Sequence, residues 1–258
     1  GLTYGMAVIG DRLYVLNGSA DAAGNGSVKV VDVSTKMVVG SVEVGSMPFA
    51  LAASGGRLYV GNADDGTVSV IDARSNEVVD VIDVGANPFG LEVTDDRLYV
   101  ADLAGTVSVI DLADNTELVR IPVGGDPPFG LAATADRVYV TNYAGGTVAV
   151  LDQTTNTADH ADTAGYPYYA AVVGGRLYVV NVATNALTIV DRSTTTAVDV
   201  DPQEPCPGRD SARRGAGGHG GPRRPLVSEQ HSLWHRDGRR RRHQPRRRER
   251  RGSASNPA

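Results

Sequence analysis

The sequence predicts an all-β fold, a β-propeller of four-stranded antiparallel blades, and three observations predict it. An aromatic residue followed nine positions later by Leu-Tyr-Val or Val-Tyr-Val occurs five times, beginning at Tyr4, Phe49, Phe89, Phe129 and Tyr168, with the triplets at Leu13, Leu58, Leu98, Val138 and Leu177. Triplet spacings of 45, 40, 40 and 39 residues suit a supersecondary unit stacked repeatedly on its neighbours. Inside each period the apolar residues alternate with period two, and turn-forming residues divide them into short runs. Four antiparallel strands in ~40 residues make a propeller blade. No helix-length apolar stripe occurs within a period, which excludes leucine-rich and helical repeats.

The elements of one blade can be read in order from the copy at 126–165. Pro128-Phe129-Gly130-Leu131-Ala132 is a first strand, Arg137-Val138-Tyr139-Val140-Thr141 a second and Thr147-Val148-Ala149-Val150-Leu151 a third. The weaker fourth strand is clearest one copy earlier, in Glu117-Leu118-Val119-Arg120-Ile121-Pro122-Val123. The connectors Ala135-Asp136, Tyr143-Ala144-Gly145-Gly146 and Gln153-Thr154-Thr155-Asn156 supply the Gly, Asn, Asp and Thr that tight turns require. Five blades are assigned in this way, at about 1–44, 45–85, 86–125, 126–165 and 166–200, with 201–258 as a separate region.

Tyr139-Val140-Thr141-Asn142 spells Y-V-T-N. Around it the order P-F-G-L-A, Y-V-T-N, G-T-V-x-V-[IL]-D, V-G resembles the YVTN family of β-propeller repeat proteins. Tyr59-Val60-Gly61-Asn62 with Gly66-Thr67-Val68-Ser69-Val70-Ile71-Asp72 follows the same order, as does Tyr99-Val100-Ala101-Asp102 with Gly105-Thr106-Val107-Ser108-Val109-Ile110-Asp111. The resemblance covers about three quarters of the chain. It implies a propeller, commonly seven-bladed, in secreted, periplasmic or cell-surface proteins. Five readable blades are incomplete relative to that ring.

Composition changes sharply at about residue 200. Residues 1–200 hold 10 Lys plus Arg against 24 Asp plus Glu, a net charge of −14, whereas 201–258 hold 15 against 6, a net charge of +9. Cys206, Trp234 and four of the five His lie in the second region, and all three Phe in the first. A single cysteine excludes intrachain disulfides and leaves the redox compartment open. No run of 18 apolar residues occurs, so no membrane span is predicted. The chain starts at Gly1 with Tyr4 already in a repeat slot, as it would after removal of a signal peptide or loss of upstream blades.

The Arg-, Pro-, Gly- and His-rich tail has the composition of GC-rich DNA read out of frame. One nucleotide forward, and with codons from the four-fold families, Arg224-Pro225-Leu226-Val227 becomes GNC-CNC-TNG-TNT, which can encode Asp-Arg-Leu-Tyr, the string at Asp96-Arg97-Leu98-Tyr99. The shifted codon spanning Trp234 and His235 must encode Gly, and that of Arg240 permits Asp. From the Leu slot at 226 these lie 8 and 14 positions on, the distances from Leu58 to Gly66 and to Asp72. The shifted Gly217 codon does not permit an aromatic residue nine places before that slot. The tail is thus expected to be disordered and to hide a frameshifted sixth blade. The competing reading is a genuine basic tail that binds nucleic acid through Arg239–Arg242 and Arg246–Arg251.

Candidate site residues follow from meander geometry, in which turns alternate between the two ends of a blade. Tyr4, Phe49, Phe89, Phe129 and Tyr168 should ring one mouth of the central channel, with Asn17, Asn62, Asp102, Asn142 and Asn181 close by. Aromatics and amides so placed can hold a peptide or small ligand. They can equally pack blades together and cap turns, and their recurrence in every blade favours that. At the other end Arg12, Arg57, Arg97, Arg137 and Arg176 face Asp32, Asp72, Asp111, Asp152 and Asp191 as salt bridges or turn bonds. Asp21 and Asn25 in the long loop at 18–26 read as a solvated insertion rather than a calcium site, and no metal or cofactor is expected.

Catalytic signatures are sparse. His160, on an outer strand, is the one histidine of the repeat region, and the inner strands carry one carboxylate, Glu92. No nucleophile elbow, phosphate loop or dinucleotide fingerprint occurs. The expected function is therefore a non-catalytic binding or scaffold propeller, and the resemblance to the YVTN family implies a place outside the cell, at its surface or in the periplasm. Its partner would be a protein, a peptide or a small molecule. A lyase- or lactonase-like enzyme with its catalytic residues in further blades is the alternative, and nucleic-acid binding depends on the tail being genuine.

Overall fold

A computed structural model describes residues 5–18, 24–124, 128–163, 165–191 and 197–200. Tyr4, Asp21 and the whole of 201–258, with its basic runs, lie outside the described residues. Twenty strands form five antiparallel sheets of four, and each sheet takes its strands in chain order. Blade one holds β1 (Met6–Ile9), β2 (Arg12–Asn17), β3 (Asn25–Asp32) and β4 (Met37–Ser46), and blade two β5 (Pro48–Ser54), β6 (Arg57–Asn62), β7 (Thr67–Asp72) and β8 (Glu77–Asp83). Blade three holds β9 (Pro88–Val93), β10 (Arg97–Asp102), β11 (Thr106–Asp111) and β12 (Glu117–Pro122). Blade four is β13 (Pro128–Ala133), β14 (Arg137–Asn142), β15 (Thr147–Asp152) and β16 (Ala158–Asp162), and blade five β17 (Pro167–Val173), β18 (Arg176–Asn181), β19 (Ala186–Asp191) and β20 (Ala197–Val200).

These sheets differ from a half-buried sheet in one respect that sets their composition. A blade in the middle of the array is covered on both faces, so its second and third strands need apolar residues at successive positions. In β6, β7, β10, β11, β14 and β15 the four central residues are all buried. The triplet divides between two interfaces, as alternation of side chains across a strand requires. Tyr59 packs toward blade three with Leu98 and Val100, while its neighbours Leu58 and Val60 pack toward blade one with Tyr14 and Val30. Tyr99 and Tyr139 repeat the arrangement at the next two interfaces.

The fourth strands face solvent. Val38, Val39, Val79, Val81 and Leu118 on β4, β8 and β12 are exposed, which explains why this strand carries the weakest pattern in the sequence. The first strands form the inner layer, where β1 packs on β5, β5 on β9, β9 on β13 and β13 on β17. Among the described residues β17 and β1 do not pack on each other in that way.

Candidate functional site

The channel mouth is built by a defect in the inner strands. Pro88 pairs with Asp102 and Gly90 with Ala101, so Phe89 is one residue too many for its partner strand. The same extra residue occurs at Phe49 and Tyr168, and within Phe129-Gly130. A bulge of this kind re-aims the side chain out of the sheet's regular alternation. The proline before each one needs no ladder donor, since it opens a strand that is the inner edge of its sheet.

So re-aimed, the aromatic residues meet one another. Ring centroids are 4.3 Å apart for Phe49 and Phe89, 6.0 Å for Phe89 and Phe129, and 5.0 Å for Phe129 and Tyr168, the last pair stacked. Tyr143 sets its edge on Phe129 at 5.4 Å and stacks on Tyr166 at 5.0 Å, while Tyr169 meets Tyr168 edge-on at 4.7 Å. Each such pair contributes ~0.5–1.5 kcal/mol beyond its buried area. Sequence reasoning missed Tyr143, Tyr166 and Tyr169. Their signal was compositional, because all three occur in blades four and five, at slots where no other copy of the repeat carries an aromatic residue.

Blade four has an additional tie. The Thr141 hydroxyl accepts from the Gly130 N–H at 2.8 Å and lies 3.1 Å from the Tyr168 carbonyl, to which it donates. It thereby satisfies the backbone that the bulge leaves unpaired and links two inner strands. Glycine at 130 is required by the same closeness, since a Cβ there would stand 2.6 Å from the Tyr168 carbonyl oxygen.

The mouth opens on a cavity of about 240 Å³. Its wall includes Phe49, Phe89, Phe129, Tyr168, Leu91 and Leu131, and among the described residues no carboxylate, histidine, cysteine, lysine or arginine lines it. The Asx residues expected beside the aromatics lie inside the blades instead. Asn62, Asp102, Asn142 and Asn181 are almost wholly buried. Asn62 Nδ2 donates to Thr67 Oγ1 at 3.0 Å and Ser69 Oγ at 2.9 Å, and Asn181 Nδ2 donates to Thr188 Oγ1 at 2.6 Å. Asn142 Nδ2 reaches the Val123 carbonyl of the preceding blade at 3.0 Å, and the Asp102 carboxylate accepts from the Thr106 hydroxyl at 2.5 Å. Asn17 is half-buried and 3.4 Å from Ser27 Oγ. The structure thus gathers the described aromatics at the channel and holds the amides at the strand ends.

At the opposite end each Arg and Asp named above are register partners, as in Arg57 with Asp72 and Arg137 with Asp152. The carboxylates nevertheless bond to turns. Asp152 accepts from the Thr154 and Thr155 amides, both at 2.9 Å, and Asp72 from those of Arg74 and Ser75. Asp32 accepts from the Ser34 hydroxyl at 2.6 Å and the Thr35 amide at 2.8 Å, bonds that hold its carboxyl at about 2. Such turns end on a left-handed residue, which Asn76, Asn115 and Asn156 supply. Turn bonding, one of the two readings of this face, is therefore what the geometry supports.

Glu92 and His160 complete the candidates. Glu92 projects from β9 toward blade four, at the position that is Ala52 and Ala132 in the neighbouring blades. Burial pushes its carboxyl up to about 7, against a hydrogen bond from the Ala133 amide that pulls it down. His160 is exposed, and its Nε2 lies 2.6 Å from the Val123 carbonyl, a structural contact. Among the described residues no group of three or more His, Cys, Asp or Glu is placed to hold a metal.

No protein-family model matches the chain, and no curated protein matches it in sequence. Solved structures match it in fold. U3-55K aligns with a TM-score of 0.68 at 13% identity, covering 76% of this chain and 62% of that one. The Pan2 WD40 domain of Neurospora crassa gives 0.61 at 17% identity over 78% and 66%. Repeats of the WD40 kind each build one four-stranded blade. This chain folds as a β-propeller. A chain of the mitotic checkpoint complex aligns with a TM-score of 0.65 at 14% identity, over 74% of this propeller and 60% of that chain. The propeller described here spans 60 to 66% of the length of these three neighbours. No helix among the described residues is long and apolar enough to cross a membrane.

Proposed function

We propose that the chain is a non-catalytic binding or scaffold propeller of the YVTN type, whose channel mouth engages a protein or peptide partner. The observation that carries this reading is the lining of the mouth cavity, which is aromatic and aliphatic and, among the described residues, holds no acid–base pair or activated nucleophile. Apolar walls suit an apolar side chain. A neighbour in fold is a component of the mitotic checkpoint complex, which supports a protein as the partner. The compartment we propose, from the YVTN resemblance, is the cell envelope or the extracellular space. Fractionation of the source cells tests it, and recovery in the cytosol would count against it.

Panning a displayed peptide library on the full chain tests the binding site. Aromatic or aliphatic anchored binders are expected, weakened about tenfold or more by Phe49→Ala or Phe89→Ala and unaffected by Val38→Ala on the outer rim. Circular dichroism must show the β content unchanged in each variant. Binders indifferent to both phenylalanines would remove the channel mouth as the site.

A further inference from the structure

Every interface between blades obeys one rule: the triplet tyrosine faces forward, to the next blade, and the residues flanking it face back. Leu98 and Val100 thus land on Tyr59, Val138 and Val140 on Tyr99, and Leu177 and Val179 on Tyr139. On blade five the forward face carries Tyr169, Val173, Tyr178, Val180, Leu187 and Ile189, in phase through the pairings Tyr169 with Val180 and Tyr178 with Ile189. It is as apolar as the faces buried elsewhere, yet Tyr169 is 66%, Val173 63% and Val180 45% exposed. Monomeric proteins rarely leave contiguous apolar surface of this kind uncovered.

We propose that this face is the docking face for a sixth blade of the same repeat, encoded directly downstream by the codons from 201 onward read one nucleotide ahead. That reading permits Asp-Arg-Leu-Tyr at 224–227, with Gly and Asp 8 and 14 places after its Leu slot, as in blade two. The 58 residues of the region exceed the 39 to 45 that separate successive triplets. Its Leu slot would land on Tyr178 as Leu98 lands on Tyr59. A second copy fits the face less well. The five blades match about three fifths of longer propellers in fold, so the remaining arc cannot take five more, and a head-to-tail contact that does not close grows into a filament. The inference rests on the propeller fold and is independent of what the channel mouth binds.

Two chains test it: the 258-residue chain, and the product of the same DNA with one nucleotide deleted just after codon 200. The frame-shifted product is expected to melt higher, by about 5 °C or more. Val180→Lys is expected to lower the melting temperature of that product by about 5 °C or more, and that of the 258-residue chain by less than about 2 °C. A stop codon in the shifted frame before codon 240, an insoluble product, or equal effects of Val180→Lys in both chains would overturn the proposal. Sedimentation of the 258-residue chain as a dimer that Val180→Lys dissociates would overturn it in favour of a second copy.

Discussion

Tyr99 in blade three and Tyr178 in blade five hold the same place in the same triplet, yet Tyr99 is 1% exposed while Tyr178 remains half-buried. The difference extends along the strands. Five successive residues of β10 are buried, whereas β18 alternates between buried residues and ones that solvent reaches. Blade three has a neighbour on each side, and blade five has blade four alone among the described residues. A blade motif therefore carries no fixed energy of its own. In stacked repeats much of the stability belongs to the interface between units, and the same string contributes according to what covers it.

The most direct way to break this comparison is to truncate both tyrosines. Tyr99→Ala is expected to cost about 3–5 kcal/mol, the range for removing a fully buried aromatic side chain, and Tyr178→Ala less, about 1–2 kcal/mol, because part of its surface is already wet. Chemical denaturation of the two variants measures the difference. Equal losses would show that blade five is covered as well as blade three.

Glu92 sharpens the comparison from within blade three, where the equivalent residue of blade four is Ala132. Its carboxyl rises from 4.5 when unfolded to about 7 in the fold. The folded state therefore prefers the protonated form, and ionisation costs stability. The penalty is absent below pH 4.5, grows as pH rises toward 7 and is complete above it. Glu92→Gln should raise stability at pH 8 by roughly 2–3 kcal/mol and leave it unchanged at pH 4. A denaturation series across that range checks the sign, and a gain that did not vary with pH would point to packing instead of charge.

Blade four differs from its neighbours at Thr141, which is Gly61 in blade two and Ala101 in blade three. Thr141→Val removes the acceptor for the Gly130 amide and the donor to Tyr168, an expected loss of about 1–2 kcal/mol. Hydrogen exchange at Gly130 should accelerate with it. The smallest effect concerns the turns of the opposite face. The carboxyl of Asp32, held at about 2 by the Ser34 and Thr35 bonds, contributes stability that is present above pH 3.8 and lost as pH falls through 2. Asp32→Asn should blunt that acid sensitivity, visible as a shallower fall of melting temperature between pH 4 and pH 2.

Much of this is legible in the sequence. Strands such as Arg137–Asn142 and Thr147–Asp152 declare themselves through alternation and flanking turn residues, both local properties of the chain. The aromatic positions were legible as a set, and the four described ones, Phe49, Phe89, Phe129 and Tyr168, do meet one another. What could not be read was that each described aromatic sits on a bulge, because a bulge is a mismatch between two strands and appears in neither alone. The same holds for the amides. Asn62 and Asn142 look like channel residues by position, but their hydrogen bonds to Thr67 and Val123 turn them inward.

The sequence by itself determined the repeat, the four-strand unit and the turn chemistry, since these depend on side-chain periodicity and local backbone preference within ~40 residues. Only the tertiary structure decided which copies of an identical motif are buried, how Tyr143, Tyr166 and Tyr169 join the aromatic cluster, and why Glu92 holds its proton near neutrality. Each of those depends on the approach of a second blade, and burial, ring contact and desolvation are properties of the pair.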